Sequence, residues 1–463
     1  MISVSLAQLA SILGATLHGI SESEAAQQQV CHVQTNSREL QAGDLFVALV
    51  GARFDAHQFL EQALAAGAGA ALVSEPQAIA LPQLVVADTT LALGQLGAWV
   101  KQQLGPFTVA LTGSVGKTSV KEMAAAIFQQ AAPTLATKGN LNNTIGAPLT
   151  LLALTPAHQY AVIELGANAP GEIRYTANLV QPDAALINNV QPAHLEGFGS
   201  LAGVAAAKSE IFEALGEHGT AIINLDDDYA DFILNACAQH QKVCFSSQVP
   251  ADLWASQLQA NAAGCYRFLL NVGTEQVVVQ LPLPGRHQVN NALAAASLAY
   301  CAKLPLATIV RGLAQAPIVP GRTEMHRLTE RLMVIDDSYN ANLASTKAGI
   351  DTLAHYPGKT ALIFGDMGEL GHRTEADHAA VGEYARQKGI DRLYTVGTVS
   401  ALATQAFGTD CHFADQQSLQ QQLFTWLESE SEPVTILIKG SRSARMEHYV
   451  AALRQQFEAS RSC

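Results

Sequence analysis

The segment Thr112-Gly-Ser-Val-Gly-Lys-Thr118 limits what this chain can fold into more than any other stretch. A β-rich run, Phe107 to Thr112, leads into it, and an apolar-periodic stretch to Gln130 follows. A strand that passes through two glycines into a helix turns several backbone N–H groups toward one point, and the helix N-terminus adds positive potential there. Such a loop cradles phosphates, and it commits its surroundings to an α/β sheet. In that geometry Lys117 reaches the β- and γ-phosphates of ATP, and the Thr118 hydroxyl ligates Mg²⁺. Gly113, Ser114, Val115, Gly116, Lys117 and Thr118 are therefore the expected ATP loop. Leu111 stands where the strict Walker pattern has its first glycine, and a glycine turn with an exposed lysine is the competing reading.

The flanking sequence alternates as such a sheet requires. Strand-like runs at Tyr160 to Leu165, Ala184 to Val190 and Thr220 to Leu225 are separated by helical segments, which predicts a doubly wound, mostly parallel sheet. Residues 253–283 depart from the alternation and read as a small antiparallel insertion, followed by an Ala-rich helix from Asn290 to Ala302. Ala316-Pro-Ile-Val-Pro-Gly-Arg322 breaks any regular element and reads as a hinge. Beyond it, strands at Leu332 to Asp336, Thr360 to Phe364, Arg392 to Val396 and Val434 to Ile438 restart the alternation as a Rossmann-like domain. At the other end, Gly43 to Leu49, Gly69 to Val73 and Leu81 to Asp88 read as strands around a helical stretch, Phe59 to Ala66. A helix from Thr90 to Leu104 follows. At roughly 150 residues per domain, 463 residues make three. The expected division is a small N-terminal α/β domain at 1–88, a central domain at 89–320 and the Rossmann-like domain at 321–463.

Composition narrows the partners. With 14% of residues charged and 49% hydrophobic, the chain is neither disordered nor a coiled coil. Its 27 basic and 40 acidic residues give a net charge of −13, which argues against a nucleic-acid polymer as partner but not against a small anion. Among the first hundred residues eight are acidic and only Arg38 and Arg53 are basic. The longest apolar run, Ala63 to Val73, is eleven small residues, too short for a membrane span, and no basic signal region precedes Arg38. Seven cysteines, at 31, 237, 244, 265, 301, 411 and 463, form no CxxC pair and read as reduced, inert thiols of a cytoplasmic protein.

Other polar residues fall at strand ends, where open α/β sheets bind ligands. Glu164 closes an otherwise apolar strand, where an acid needs a partner such as Mg²⁺ or exposure to water. His194 follows the next strand, in Gln191-Pro-Ala-His-Leu-Glu-Gly-Phe-Gly199. Lys208 lies on an amphipathic helix, where spacing alone makes it a surface lysine. Asn140, Asn142 and Asn143 offer amides that read sugars or peptides, or else shape a turn. In the third domain, Asp336 to Asn342, Gly365 to Gly371 and Lys439 to Ser443 each follow a strand.

Together these segments resemble the Mur ligases, ATP-dependent enzymes that build the peptide of bacterial peptidoglycan, over nearly the whole chain. Gly139-Asn-Leu-Asn-Asn-Thr-Ile-Gly146, Ile163-Glu-Leu-Gly-Ala167, His194-Leu-Glu-Gly-Phe198, Pro284-Gly-Arg-His287, Asp336 to Asn342 and Lys439-Gly-Ser-Arg442 carry the likeness. They point to the branch that adds D-alanyl-D-alanine to UDP-N-acetylmuramoyl-tripeptide (UDP-MurNAc-tripeptide). The resemblance implies that Thr118 and Glu164 share one Mg²⁺ and that His194 ligates a second. It also implies that Lys208 carries a carbamate made from CO₂ and helps hold that second metal. Asn291 then matches the adenine-side motif, in which Gln288 replaces a frequent Asn. Arg322 and Asp337 resemble nucleotide contacts from the C-terminal domain. Ser37 and Arg38, in Thr35-Asn-Ser-Arg38, and the stretch Gly51 to His57 look like UDP-sugar segments, although Asn36 replaces a common Asp. Asn140, Asn142 and Asn143 fall to the substrate. The family's short ATP loop tolerates the missing Walker glycine.

The chemistry so implied activates the tripeptide carboxylate as an acyl phosphate, which the dipeptide amine attacks. A C-terminal domain closing over ATP at the hinge would shield that intermediate from water. A monomer in the cytoplasm is expected. Two rivals are a folylpolyglutamate synthetase, which lacks this kind of N-terminal domain, and a nucleotide-hydrolysing switch, for which no Asn-Lys-x-Asp motif is present.

Overall fold

Phe107–Thr112 is a strand because it is apolar on both faces, as a parallel strand covered on each side must be. Val109 and Leu111 pack into one core cluster, and Ala110 between them packs into another. The same alternation recurs in Tyr160–Glu164, where Val162 joins the first cluster and Ile163 the second, and in Ala184–Ile187. The computed structural model describes residues 1–51 and 54–458. Arg53 and Cys463, named above, lie outside the described residues.

These strands form the middle of a nine-stranded sheet. Its order is Thr134–Ala136, Tyr160–Glu164, Phe107–Thr112, Ala184–Ile187, Thr220–Asn224, Gln241–Ser246, Leu253–Ala260, Cys265–Val272 and Glu275–Pro284. The first seven are parallel and the last two antiparallel. The antiparallel reading of residues 253–283 is right in pairing, but the segment is not a separate insertion. Leu253–Ala260 pairs with Gln241–Ser246, so the hairpins widen the main sheet. The last strand has one buried face, with Val279, Leu281 and Leu283 inward and Gln280 outward. One solvated face is the pattern of antiparallel strands, and here it marks the sheet's edge.

Helices cover both faces. Lys117–Gln129, His287–Cys301 and Leu306–Ala314 cover one, and Thr89–Leu104, Gly146–Leu152, Glu172–Val180 and Leu201–Ser209 the other. Gly312 lets Leu306–Ala314 close on the helix that follows the glycine loop, since an added Cβ would stand 2.3 Å from Ile127 Cα. Gly312→Ala should therefore destabilise the fold by about 1–3 kcal/mol through overpacking. An unchanged melting temperature in calorimetry would refute that close approach.

The N-terminal sheet runs Thr16–His18, Gln83–Val85, Ala70–Val73, Leu45–Val47 and Val33–Gln34, parallel except for its first strand. Its inner face is continuous with the central core. Leu45, Val47 and Leu72 share a cluster with Leu93, Leu96 and Val100 of Thr89–Leu104 and with Ile163 and Ile187 of the central sheet. The C-terminal sheet runs Glu324–Arg327, Leu332–Asp337, Val434–Lys439, Lys359–Gly365, Arg392–Val396 and His412–Phe413, parallel except for its first strand, with its own core on each face. Residues 316–323 joining it to the central domain form neither helix nor strand. Three α/β domains with mostly parallel sheets result, as the alternation predicts. Among the described residues, no helix is long and apolar enough to cross a membrane.

Candidate active site

The central parallel strands end along one edge at Thr112, Glu164, Ile187 and Asn224, and the polar residues that follow them gather there. Gly116 opens the helix Lys117–Gln129 with φ 78°. A Cβ on it would stand 2.6 Å from Asn291 Oδ1 and 2.8 Å from Asn188 Nδ2, so both backbone and neighbours require glycine. Val115 N–H donates to Asn189 Oδ1 at 2.9 Å, and the Val115 carbonyl accepts from Asn188 and Asn189 Nδ2 at 2.9 and 3.0 Å. Asn188 also donates to Asn291 Oδ1 at 3.2 Å, and Asn291 to Gln288 Oε1 at 2.9 Å. Gln288, the departure from the usual asparagine, thus holds Asn291 in place. The Ser114 hydroxyl donates to the Gln191 carbonyl at 2.8 Å and accepts from its N–H at 2.9 Å. Sequence reasoning passed over Asn188 and Asn189, because the strand there ends at Ile187 rather than running to Val190. Two consecutive amides after a buried strand were the available signal.

Lys117 folds back on its own loop, donating to the Gly113 carbonyl at 2.7 Å and more weakly to that of Ser114 at 3.4 Å. Burial lowers its pKa; Glu164 nearby opposes the shift and Arg322 adds to it. Glu164 is only 2% exposed. Its Oε1 accepts from Asn142 Nδ2 at 2.7 Å, and its Oε2 is buried without a hydrogen-bond partner. A buried carboxylate oxygen left bare in this way fits a cation. Lys208 is 3% exposed and has no acidic partner among the described residues. Burial, and then Lys117, push its pKa well below the lysine range. The surface position that spacing alone gives Lys208 is therefore overturned: the side chain is buried near the end of the helix Leu201–Ser209. His194 lies within the electrostatic reach of both lysines, and its Nδ1 stands 2.5 Å from Glu369 Oε2 of the C-terminal domain.

The C-terminal domain supplies the opposite wall. Arg322 stacks over the Tyr339 ring, 4.3 Å from its centroid. Asp337 accepts from Lys439 Nζ at 2.5 Å and from Thr323 N–H at 3.2 Å, and Lys439 also donates to the Asn340 carbonyl at 3.1 Å. Between the two domains lies a cavity of about 390 Å³, lined by Ser114 to Thr118, His194, Asn291, Arg322, Asp337, Tyr339 and Lys439 among others. Glu164 and Lys208 do not line it; Glu164 acts electrostatically on Lys117, and Lys117 on Lys208.

The remaining candidates lie apart. Asn143 uses its Oδ1 to accept from the N–H groups of Ile145 and Gly146 at 3.2 and 2.8 Å, shaping the start of the helix Gly146–Leu152. Asn140 is exposed. In the N-terminal domain Ser37 Oγ donates to Gln62 Oε1 at 3.0 Å, and Arg38 is exposed just beyond the strand Val33–Gln34. A separate trio, Glu324, His326 and Asp336, meets within 4.8 Å on the strand pair that follows the irregular connection. His326 Nε2 stands 3.7 Å from Glu324 Oε2, and Asp336 Oδ1 accepts from the Ser338 N–H at 3.0 Å.

Family models match along most of the chain. The model described as Mur ligase family, catalytic domain, covers residues 29–98, the Mur ligase middle domain covers 111–299, and the Mur ligase, glutamate ligase domain, covers 321–442. The chain belongs to the Mur ligase family. The UDP-N-acetylmuramoyl-tripeptide–D-alanyl-D-alanine ligase of Escherichia coli is 50% identical to this Mur ligase over 98% of the chain and 99% of its own length. The enzyme of that name from Haemophilus influenzae is 42% identical over 99% of the chain and all of its own length. Among solved structures, a crystal structure of MurF from Acinetobacter baumannii superposes with a TM-score of 0.93 at 37% identity, covering 98% of this chain and 99% of that one. The three-domain α/β fold of this Mur ligase is thus the fold of that structure.

Proposed function

We propose that this Mur ligase uses ATP to join D-alanyl-D-alanine to UDP-MurNAc-tripeptide, giving UDP-MurNAc-pentapeptide, ADP and phosphate. One observation carries the reading. A two-domain cavity is lined by the glycine loop and Lys117. Within electrostatic reach of Lys117 lie a buried carboxylate oxygen without a hydrogen-bond partner, on Glu164, and a buried lysine with no counter-charge among the described residues, Lys208. Relatives named for this activity, similar from end to end, support the choice of substrates.

In this reading the loop N–H groups and Lys117 hold the β- and γ-phosphates, with Lys117 leaving the carbonyls of Gly113 and Ser114 to do so. Asn291 lies toward the adenine, and Arg322 and Asp337 contact the nucleotide from the C-terminal domain. The terminal carboxylate of the tripeptide attacks the γ-phosphorus, ADP leaves, and an acyl phosphate forms. The dipeptide amine then attacks the acyl carbon, and phosphate departs from the tetrahedral intermediate.

Two anions must approach each other in the first step, and Mg²⁺, when bound, supplies the charge that allows it. Glu164 Oε2 and the Thr118 hydroxyl fit one such ion. His194 and Lys208 fit a second if Lys208 is carbamylated. Burial favours that modification, because only a neutral amine adds to CO₂. The neutral nitrogen bonds to the carbon, one proton leaves it, and the amine becomes a carbamate anion beside Lys117. Asn142 is a positioning residue for Glu164, and Asn143 spends its Oδ1 on the N–H groups of Ile145 and Gly146, which leaves Asn140 as the freest amide for the substrate. Ser37 and Arg38 are proposed for the UDP diphosphate. Six described cysteines, all free, suit a cytoplasmic enzyme.

The test is a ligation assay with ATP, Mg²⁺, D-alanyl-D-alanine and UDP-MurNAc-tripeptides ending in diaminopimelate or in lysine. Phosphate release should be negligible without the dipeptide and fast with it. Release indifferent to both amino-acid substrates would overturn the reading and favour a nucleotide-driven switch.

A further inference from the structure

His194 and Glu369 come from different domains, and each departs from ordinary backbone geometry to meet the other. His194 has φ 53° and Glu369 φ 61°, both left-handed conformations that side chains other than glycine rarely adopt. Such strain persists only where the surroundings impose it, and it collects at functional sites. The surroundings are visible on both sides. Next to His194, Gly197 lies so close to Asn168 that an added Cβ would be 1.8 Å from the Asn168 carbonyl oxygen, which pins the histidine turn to the central domain. Beside Glu369, Gly371 approaches Glu196, the residue two after the histidine, with 3.6 Å between its would-be Cβ and Glu196 Cγ. The two loops therefore meet at two points.

An ordinary surface ion pair contributes little and calls for no strained backbone. This pair differs in what the imidazole faces. Lys117 and Lys208 act on His194 from the central domain, and Glu369 is the anion opposing them. Nδ1 is buried and 2.5 Å from Glu369 Oε2, a contact short in distance but not yet aligned as a hydrogen bond. A carboxylate that takes the Nδ1 proton side of a histidine fixes its tautomer, leaving Nε2 with the free lone pair that a metal requires.

We propose that Glu369 is a positioning residue for His194, so that the cation site shared by His194 and Lys208 is completed only when the C-terminal domain closes. The proposal rests on the reading of His194 as a metal ligand. It adds that the third domain contributes to the metal's second shell as well as to the cavity wall. Cation affinity and domain closure then reinforce each other: a bound ion holds the clasp, and the clasp orients the ligand. The loop Gly365-Asp-Met-Gly-Glu-Leu-Gly371, which the nucleotide and peptide contacts leave without a task, gains one.

The test is Mn²⁺ binding to the full chain, followed by electron paramagnetic resonance with a non-hydrolysable ATP analogue present. Glu369→Gln should weaken one of two Mn²⁺ ions by about 10–100-fold, the usual effect of removing a second-shell partner, and leave the other unchanged. In turnover it should raise the Mg²⁺ concentration for half-maximal rate more than it lowers kcat at saturating Mg²⁺, and Glu369→Asp should recover part of the loss. In a His194→Ala background Glu369→Gln should add nothing. Wild-type Mn²⁺ affinity in Glu369→Gln, with affinity lost in His194→Ala, would overturn the proposal alone. Wild-type affinity in His194→Ala would overturn the reading of His194 and the proposal with it.

Discussion

Replacing Lys117 by alanine is expected to lower the ligation rate by at least about 10²–10³-fold, the scale on which losing one preorganised charge from a reacting phosphate acts. Lys117 is the loop's only cation, and the carbonyls it now holds, those of Gly113 and Ser114, are neutral acceptors that a phosphate readily replaces. Its lowered pKa sharpens the expectation, because burial removes water that would otherwise share the charge. A bound phosphate opposes that downward shift and meets a desolvated cation. Lys117→Arg keeps the charge but not the point-like ammonium, and should recover only a fraction. Activity of Lys117→Ala above a tenth of wild type, in steady-state phosphate release, would show that the ATP site lies elsewhere.

Loss of Lys208 should be nearly as severe and should carry a distinguishing signature. A lysine kept for structure normally has a carboxylate partner, and its removal destabilises the fold. Lys208 has Lys117 as its charged neighbour and burial against it, so the unmodified ammonium is itself unfavourable. Lys208→Met keeps most of the buried volume and removes that charge. Its melting temperature should equal or exceed that of the unmodified protein, while ligation falls by at least about 10²-fold. Lys208→Ala should be as inactive but partly rescued by formate or acetate, whose carboxylate can occupy the vacated space and replace the carbamate. A melting temperature several degrees lower in Lys208→Met would mark a structural lysine. Normal ligation by Lys208→Ala would exclude the carbamate.

The candidate site was unevenly legible in the sequence. The strand Phe107–Thr112, its glycine loop and the helix after it follow from local rules, because each is specified by neighbours within about a helical turn. The strand Arg392–Val396 and the irregular connection before Arg322 follow in the same way. Residues 253–283 were legible as strands but not as part of the main sheet, since pairing with Gln241–Ser246 depends on a partner outside the pattern. Spacing along the helix Leu201–Ser209 leaves Lys208 a surface lysine, and only the resemblance marks it, because local spacing does not reveal that the side chain is covered.

The sequence by itself determined the kinds of element, their order and the phosphate loop, all of which arise from periodicity and turn chemistry over short spans. Only the tertiary structure decided which polar groups meet. Asn142 reaches Glu164 across 22 positions, Asp337 reaches Lys439 across 102, and Asn188 reaches Asn291 across 103. The meeting of His194 with Glu369 spans two domains. No local rule encodes such separations. They follow from parallel strands that all end on one edge, and from an irregular connection that sets a second sheet's edge against the first, so that charges distant in the chain share one partly desolvated volume.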